Sequence, residues 1–195
     1  GDRSKLLHRV NEVFGHARDF SDKFKTHMVW IQMFAATDLS RAIEECLNAL
    51  VELGEPLDLA NVDRNRVCSA LMEQMGQVSP SELLSTKRLA DMNKVRAMKA
   101  MSLLLFLCNQ AHSLLAALVC CKMVELSMTY GTSDDSIQGI AAFASALVNI
   151  SGFIVEGIAW GRTALLLLKL SGDKPTLIPP VYATVYGSIL VFAGK

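Results

Sequence analysis

The sequence has no excess of charge of either sign. Nineteen Lys and Arg residues balance nineteen Asp and Glu residues. Proteins that hold nucleic acid or acidic membranes through long-range attraction usually carry a broad basic surface, and balanced charge gives no sign of one. We therefore expect no nucleic-acid partner.

Aromatic residues are scarce, at 7% of the chain, and no stretch alternates polar and apolar residues long enough to predict a strand. Half of the chain is apolar, and much of that half is Leu, Ala and Met, which favour helices. The composition therefore predicts an all-α fold. A chain of 195 residues is long enough for one domain with a core, or for a short repeat array.

The sequence also lacks Cys-x-x-Cys motifs and Cys/His spacings typical of metal sites. Its five cysteines lie in apolar helical patterns, which predicts buried free thiols in a reducing compartment. They are Cys46, Cys68, Cys108, Cys120 and Cys121. Adjacent cysteines on a helix point in different directions, so no Cys120–Cys121 disulfide is expected, although a redox role for the pair stays open. We predict no metal, no cofactor and no catalytic residue.

Apolar spacing and turn residues divide the chain into helices. The predicted ranges are 4–20, 22–36, 38–53, 93–108, 111–130, 132–150 and 153–171, with a last helix beginning near Pro179-Pro180. Residues 57–92 are the most polar stretch. They predict an irregular connection with short helices near 64–75 and after Ser79-Pro80.

A pattern of small residues recurs in three of these helices, after offsets of 75 and 40 residues. Small residues seven positions apart let a neighbouring helix approach closely, which favours stacked two-helix units. The predicted repeat positions are Ala42, Cys46 and Ala49, then Ala117, Cys121 and Val124, and then Gly157, Gly161 and Ala164. A single irregular helical domain with chance similarity remains the alternative.

The spacing resembles the second helix of a tetratricopeptide (TPR) repeat. The stretches RAIEECLNALVELGEPL and KMVELSMTYGTSDDS, together with IQGIAAFASALVNISGFIVEGIAWGRTALLLL, resemble the helical-repeat region of very large signalling ATPases. In that family a STAND-like AAA-type ATPase module precedes a long TPR-like region. Serine/threonine kinase, histidine kinase or cyclase domains often flank it.

The resemblance covers roughly residues 28–195 and implies an all-α array of antiparallel helical hairpins stacked as a TPR-like solenoid, and we predict one such segment over residues 1–195. It also implies a non-catalytic scaffold in the cytoplasm, which binds a protein, a peptide or other domains of the same chain. The chain lacks GxxxxGK[ST], HRD and DFG motifs, so ATP binding is not predicted. It begins at Gly1 without Met and ends within a helical pattern, from which we expect a piece of a longer protein.

A fragment of a polytopic helical membrane protein is the alternative. Residues 139–161 contain one charge, Glu156, and residues 101–121 contain none. Polar residues interrupt both runs near their middles, however, and predict a turn in each: Asn109, Gln110, His112, Asn149 and Ser151. Such turns would be costly in hydrocarbon, so a membrane location is not the preferred prediction.

Overall fold

The computed structural model describes residues 20–172 and 174–193, and seven residues of the N-terminal stretch, namely 5, 8, 10, 12, 13, 15 and 16. The helix predicted over 4–20 lies largely outside the described residues. In the described part the fold is all-α, as predicted, with one isolated bridge between Arg88 and Thr132.

The helices follow the predicted ranges closely. They are α1 (Phe20–Ala35), α2 (Leu39–Glu52), α3 (Arg64–Gln77), α4 (Pro80–Leu83), α5 (Met92–Gln110), α6 (Leu115–Tyr130), α7 (Asp134–Asn149), α8 (Ile154–Leu170) and α9 (Ile178–Ser188), with a 3-10 turn over Leu190–Ala193. Both long apolar runs are divided by turns, at 111–114 and at 150–153. No helix in the described ranges is long and apolar enough to cross a bilayer.

Short polar side chains cap α2 and α7 at the predicted helix starts, whereas Ser79 before α4 makes no side-chain cap hydrogen bond. The Asp38 carboxylate accepts a hydrogen bond from the Arg41 N–H at 3.0 Å, at the start of α2. Ser133 and Ser136 form a reciprocal capping box at the start of α7. At the end of α2, Gly54 has a φ of +75°, and the following Glu55 N–H donates to the Leu50 carbonyl at 2.8 Å.

Three pairs of helices, α1/α2, α5/α6 and α7/α8, pack as hairpins, because the short turns that join them make neighbours antiparallel. We call each pair a unit, its members the first and the second helix, and α9 the first helix of a fourth unit. The first helices contact one another in series: α1 with α5, α5 with α7, and α7 with α9. Each second helix contacts the first helix of the next unit, α2 with α5, α6 with α7, and α8 with α9. Within the described part of the chain, α2, α6 and α8 do not contact one another.

The polar connection over 57–92 contains α3 and α4 and packs back on the hairpins. Helix α3 contacts α6 and α7, and α4 contacts α6 and α8. The Leu89 N–H donates to the Thr132 carbonyl, and the Thr132 N–H donates to the Lys87 carbonyl, both at 2.9 Å. The connection is thus tied to the α6–α7 turn.

Two clusters of buried side chains form the core, and they meet along α6. The first joins α1, α2, α5 and one side of α6. The second joins the other side of α6 with α3, α4, α7, α8 and α9. Leu118 and Ala142 pack against both clusters. In the second cluster Trp160 is buried edge-to-face against Phe143, with ring centroids 4.8 Å apart, so this tryptophan is a core residue.

All five thiols are free, and four of them are buried, whereas Cys68 is partly exposed. Burial raises the pKa of Cys46 to about 12 and that of Cys108 to about 11. Because the thiolate is the reactive form, these thiols should react slowly.

We expect Ellman's reagent at pH 8 to label one thiol rapidly in the native chain and five in denaturant. The rapid phase should disappear in Cys68→Ser, because Cys68 alone of the five is accessible without opening the core. Rapid labelling of a second thiol in that variant would contradict the burial described above.

Candidate functional site

An open cleft of about 340 Å³ lies between the first helices α5, α7 and α9, with the beginning of α6 as its floor. Its rim is polar and holds Asn109, His112, Ser113, Ser145, Asn149, Thr184 and Ser188. Its floor consists largely of small residues, including Ala116, Ala117, Cys120, Ala142 and Ala146. The lining contains no Asp, Glu, Lys or Arg. Three successive units of the packing order therefore contribute to one uncharged surface.

Amides, hydroxyls and an imidazole on the rim can donate and accept hydrogen bonds, and the alanine floor leaves room for backbone or small side chains. The Asn149 amide is fixed in orientation, because its Nδ2 donates to the Ser145 carbonyl at 2.9 Å and to Ser145 Oγ at 3.1 Å. A surface of this chemistry suits an uncharged chain with many amides, such as an extended peptide segment.

His112 shapes one end of the cleft. It has a φ of +50°, a left-handed conformation that is unusual for a residue other than glycine. Its N–H donates to the Asn109 carbonyl at 3.2 Å, and the Ser113 N–H donates to the Cys108 carbonyl at 2.9 Å. This pattern closes α5 and delays the start of α6 to Leu115, later than the predicted 111.

Replacing His112 with glycine should raise the free energy of unfolding by about 0.5–1 kcal/mol, because glycine adopts the left-handed conformation without steric cost. Urea titration followed by circular dichroism measures the change. The matched control is Ala111→Gly, one residue earlier at a φ of −79°, which should destabilise. Destabilisation by both substitutions would mean that the imidazole itself holds the turn.

The nine predicted repeat positions lie on the second helices of the three hairpins, three on each. All nine are buried. A Cβ added to Gly157 would lie 2.4 Å from Val148 Cγ2, so α7 and α8 approach closely there. A Cβ added to Gly161 would lie 3.2 Å from Ile189, just after α9. Ala117 lies on the floor of the cleft. The repeat positions of α2 and of α8 do not line it.

A buried carboxylate joins the first two hairpins. Glu55, after α2, is 6% exposed and forms ion pairs with Lys94 of α5 and with Lys122 of α6, the latter at 3.3 Å. The hydrogen bond that the Lys94 ammonium donates to Glu55 is the main reason that the pKa of Lys94 is raised. Burial lowers the pKa of Lys122, but Glu125 and Glu55 outweigh it, and that pKa is raised as well.

A second ion cluster joins three loops around Asp134 at the start of α7. Its carboxylate pairs with Arg88 of the polar connection, at 3.0 Å, and with Lys174 of the α8–α9 turn. Burial by itself raises the pKa of Asp134, but hydrogen bonds from Lys174 and Arg88 outweigh it and the pKa is lowered. In the sequence, Thr132-Ser133-Asp134-Asp135 predicts the capped start of a helix; within this stretch Ser133 makes the cap, and Asp134 and Asp135 lie in the first turn.

The described residues contain no group of three or more His, Cys, Asp or Glu side chains that could hold a metal ion. Both ion clusters consist of a carboxylate already paired with lysine or arginine, and they join elements of the fold. They therefore serve packing, and the uncharged cleft is the better candidate for binding.

No protein family, curated protein or solved structure matches this chain. The predicted kinship with signalling ATPases therefore stays a prediction, and so do flanking kinase domains and a cytoplasmic location. Of the rim residues, the sequence analysis singled out Asn109, His112 and Asn149, as polar interruptions of apolar runs. Nothing in the sequence placed them on one surface.

Proposed function

We propose that this chain is a non-catalytic helical-repeat scaffold, in which hairpins stack as a TPR-like solenoid and present a surface to a protein or peptide. Within a large cytoplasmic signalling protein, the same array would couple an ATPase module to output domains of the same chain. The packing order supports this proposal most directly. First helices contact first helices in series, and among the described residues the second helices contact their neighbours in the array, the α3–α4 connection and the 3-10 turn after α9, but not one another.

The spacing of the small residues fits the same arrangement. The offset of 40 residues between Ala117 and Gly157 equals one hairpin. The offset of 75 residues between Ala42 and Ala117 contains one hairpin and the inserted polar connection. Small side chains at these buried positions are the residues that close helix packing requires.

The lining of the cleft supports one class of ligand for this scaffold. Because three first helices line it, a ligand lying across them would contact the array over several units. Since no charged side chain lines it, the ligand would be an uncharged, extended peptide segment, held by its backbone amides.

Selection of displayed peptides on the immobilised chain tests this function. We expect low-charge sequences, and Ser145→Arg should weaken their binding at least about tenfold because the side chain fills the cleft. The matched control is Ser69→Arg on the exposed side of α3, which should leave affinity unchanged. Peptides whose affinity falls equally in both variants, or a selection that yields none, would exclude the cleft as a peptide site.

A further inference from the structure

A second groove, separate from the cleft, lies between α8 and α9. It has a volume of about 530 Å³ and is lined by Arg162, Leu165, Leu166, Lys169, Tyr182 and Tyr186. Large apolar groups are open to solvent here: Leu166 is 49% exposed and Tyr186 is 51% exposed. Exposed apolar groups gathered along one groove are typical of an interaction surface.

The groove carries two positive charges and no negative one. Arg162 and Lys169 are exposed, and among the described residues no carboxylate lies within 4.0 Å of either. Lys169 lies in the last turn of α8, where the helix dipole favours a cation. Arg162 lies in the middle of the helix, where the dipole does not account for a positive charge.

The spacing of the lining residues follows a helical period on both sides. Arg162 and Lys169 are two turns apart on α8, which separates their Cα atoms by about 10.5 Å along the axis. Leu165 and Leu166 lie between them. Across the groove, Tyr182 and Tyr186 are one turn apart on α9, and their rings are stacked with centroids 5.3 Å apart. A helix laid along α8 would place side chains seven residues apart beside the two cations.

We propose that this groove is the docking site for an amphipathic helix of a partner protein. The helix would carry two carboxylates seven residues apart, which pair with Arg162 and Lys169. Apolar side chains between the carboxylates would cover Leu166 and the two tyrosines. The proposal rests on the scaffold function above, but it concerns a different surface and a partner of different chemistry from the peptide of the cleft.

A fluorescein-labelled synthetic helix tests the proposal. The probe carries two Glu residues seven positions apart, Leu at the third and fourth positions between them, and Ala and Gln elsewhere. In fluorescence anisotropy, the variant Arg162→Glu/Lys169→Glu should bind this probe at least about tenfold more weakly, through loss of attraction and new repulsion. A probe with Lys in place of both Glu residues should bind the variant better than it binds the native chain.

The matched control is Lys5→Glu/Lys25→Glu, which makes the same change in net charge at exposed lysines in the N-terminal part of the chain. It should bind the Glu probe as the native chain does, and circular dichroism should show the same helix content in both variants. A third variant, Tyr186→Ser, should weaken binding about threefold or more without any change of charge.

The proposal is overturned if the native chain does not bind the Glu probe, or if the control variant weakens binding of that probe equally. It is also overturned if the Lys probe binds the Arg162→Glu/Lys169→Glu variant no better than it binds the native chain. It is also overturned if a proline-interrupted probe of the same composition binds as well, because the ligand would then not be a helix. Selected peptides that bind the native chain and are weakened by Ser145→Arg would support the scaffold function. If such peptides are found while the helical probe does not bind, only the α8–α9 docking site is overturned.

Discussion

Replacement of Glu55 with alanine is expected to lower the free energy of unfolding by about 2 kcal/mol. Glu55 is buried, and the substitution removes both of its ion pairs at the α2–α5–α6 junction, so the Lys94 ammonium loses its carboxylate partner, whereas Lys122 keeps its ion pair with Glu125 at 2.8 Å. The loss exceeds that of a surface ion pair because the Lys94 side chain is partly buried, but water still reaches the charge, which keeps the loss below that of a fully buried pair. Urea unfolding followed by circular dichroism measures the change.

The matched control is Glu44→Ala, on the exposed side of α2, which should change the free energy of unfolding by no more than about 0.5 kcal/mol. Adding Lys94→Met to Glu55→Ala should restore part of the loss, since it removes the ammonium group that Glu55→Ala leaves without a carboxylate. Equal losses in Glu44→Ala and Glu55→Ala would show that the junction does not depend on this carboxylate.

The same cluster predicts a dependence on pH. The pKa of Lys94 is raised above 10.5 in the folded chain, chiefly by its hydrogen bond to Glu55. The stabilisation from this ion pair is therefore fully present below pH 10.5, and it is lost as the pH rises through the folded pKa. We expect thermal stability to fall in that alkaline range in the native chain and to fall less in Glu55→Ala.

Gly157→Ala should lower the free energy of unfolding by about 2–3 kcal/mol. The added Cβ would lie 2.4 Å from Val148 Cγ2 and 2.9 Å from the Ala144 carbonyl oxygen, so α7 and α8 must separate. The backbone oxygen cannot rotate away as a side chain can. Thermal unfolding measures the loss.

Gly76→Ala is the matched control. Gly76 lies within α3, and nothing lies within 4 Å of the position that its Cβ would occupy. The substitution should therefore stabilise by about 0.5–1 kcal/mol, through lower backbone entropy in the unfolded chain. Combining Gly157→Ala with Val148→Ala should cost less than the two single changes together, because one of the two clashes is then absent. Stabilisation by Gly157→Ala would mean that α7 and α8 are not in close contact.

Helix boundaries could be predicted from the sequence because their chemistry is local. Asp38 caps a helix through an N–H three residues away, and Gly54 ends one through its own φ, so both signals lie within a single turn. His112 was harder to predict, because nothing beside it distinguishes a left-handed histidine from an ordinary one. As a result, the beginning of α6 was placed too early.

The sites could not be predicted because their members are distant in sequence. Glu55 and Lys94 are 39 residues apart, and Asp134 lies 46 residues from Arg88 and 40 from Lys174. Beside its neighbours in the sequence, Asp134 indicates only the start of a helix, and nothing local points to Arg88 or Lys174 as partners. Likewise, Thr184 reaches the rim that holds Asn149 only because α9 packs across α7.

The sequence by itself determined that this chain forms helices, where most of them end, and which small residues they bury, because hydrogen bonds and apolar periodicity act within one or two turns. Only the tertiary structure decided that the polar connection folds back on α6, that one carboxylate joins two hairpins, and that uncharged rim residues share a cleft. These features depend on the angles at which helices cross. Such angles are set by side chains that meet from distant parts of the chain, and no local pattern encodes them.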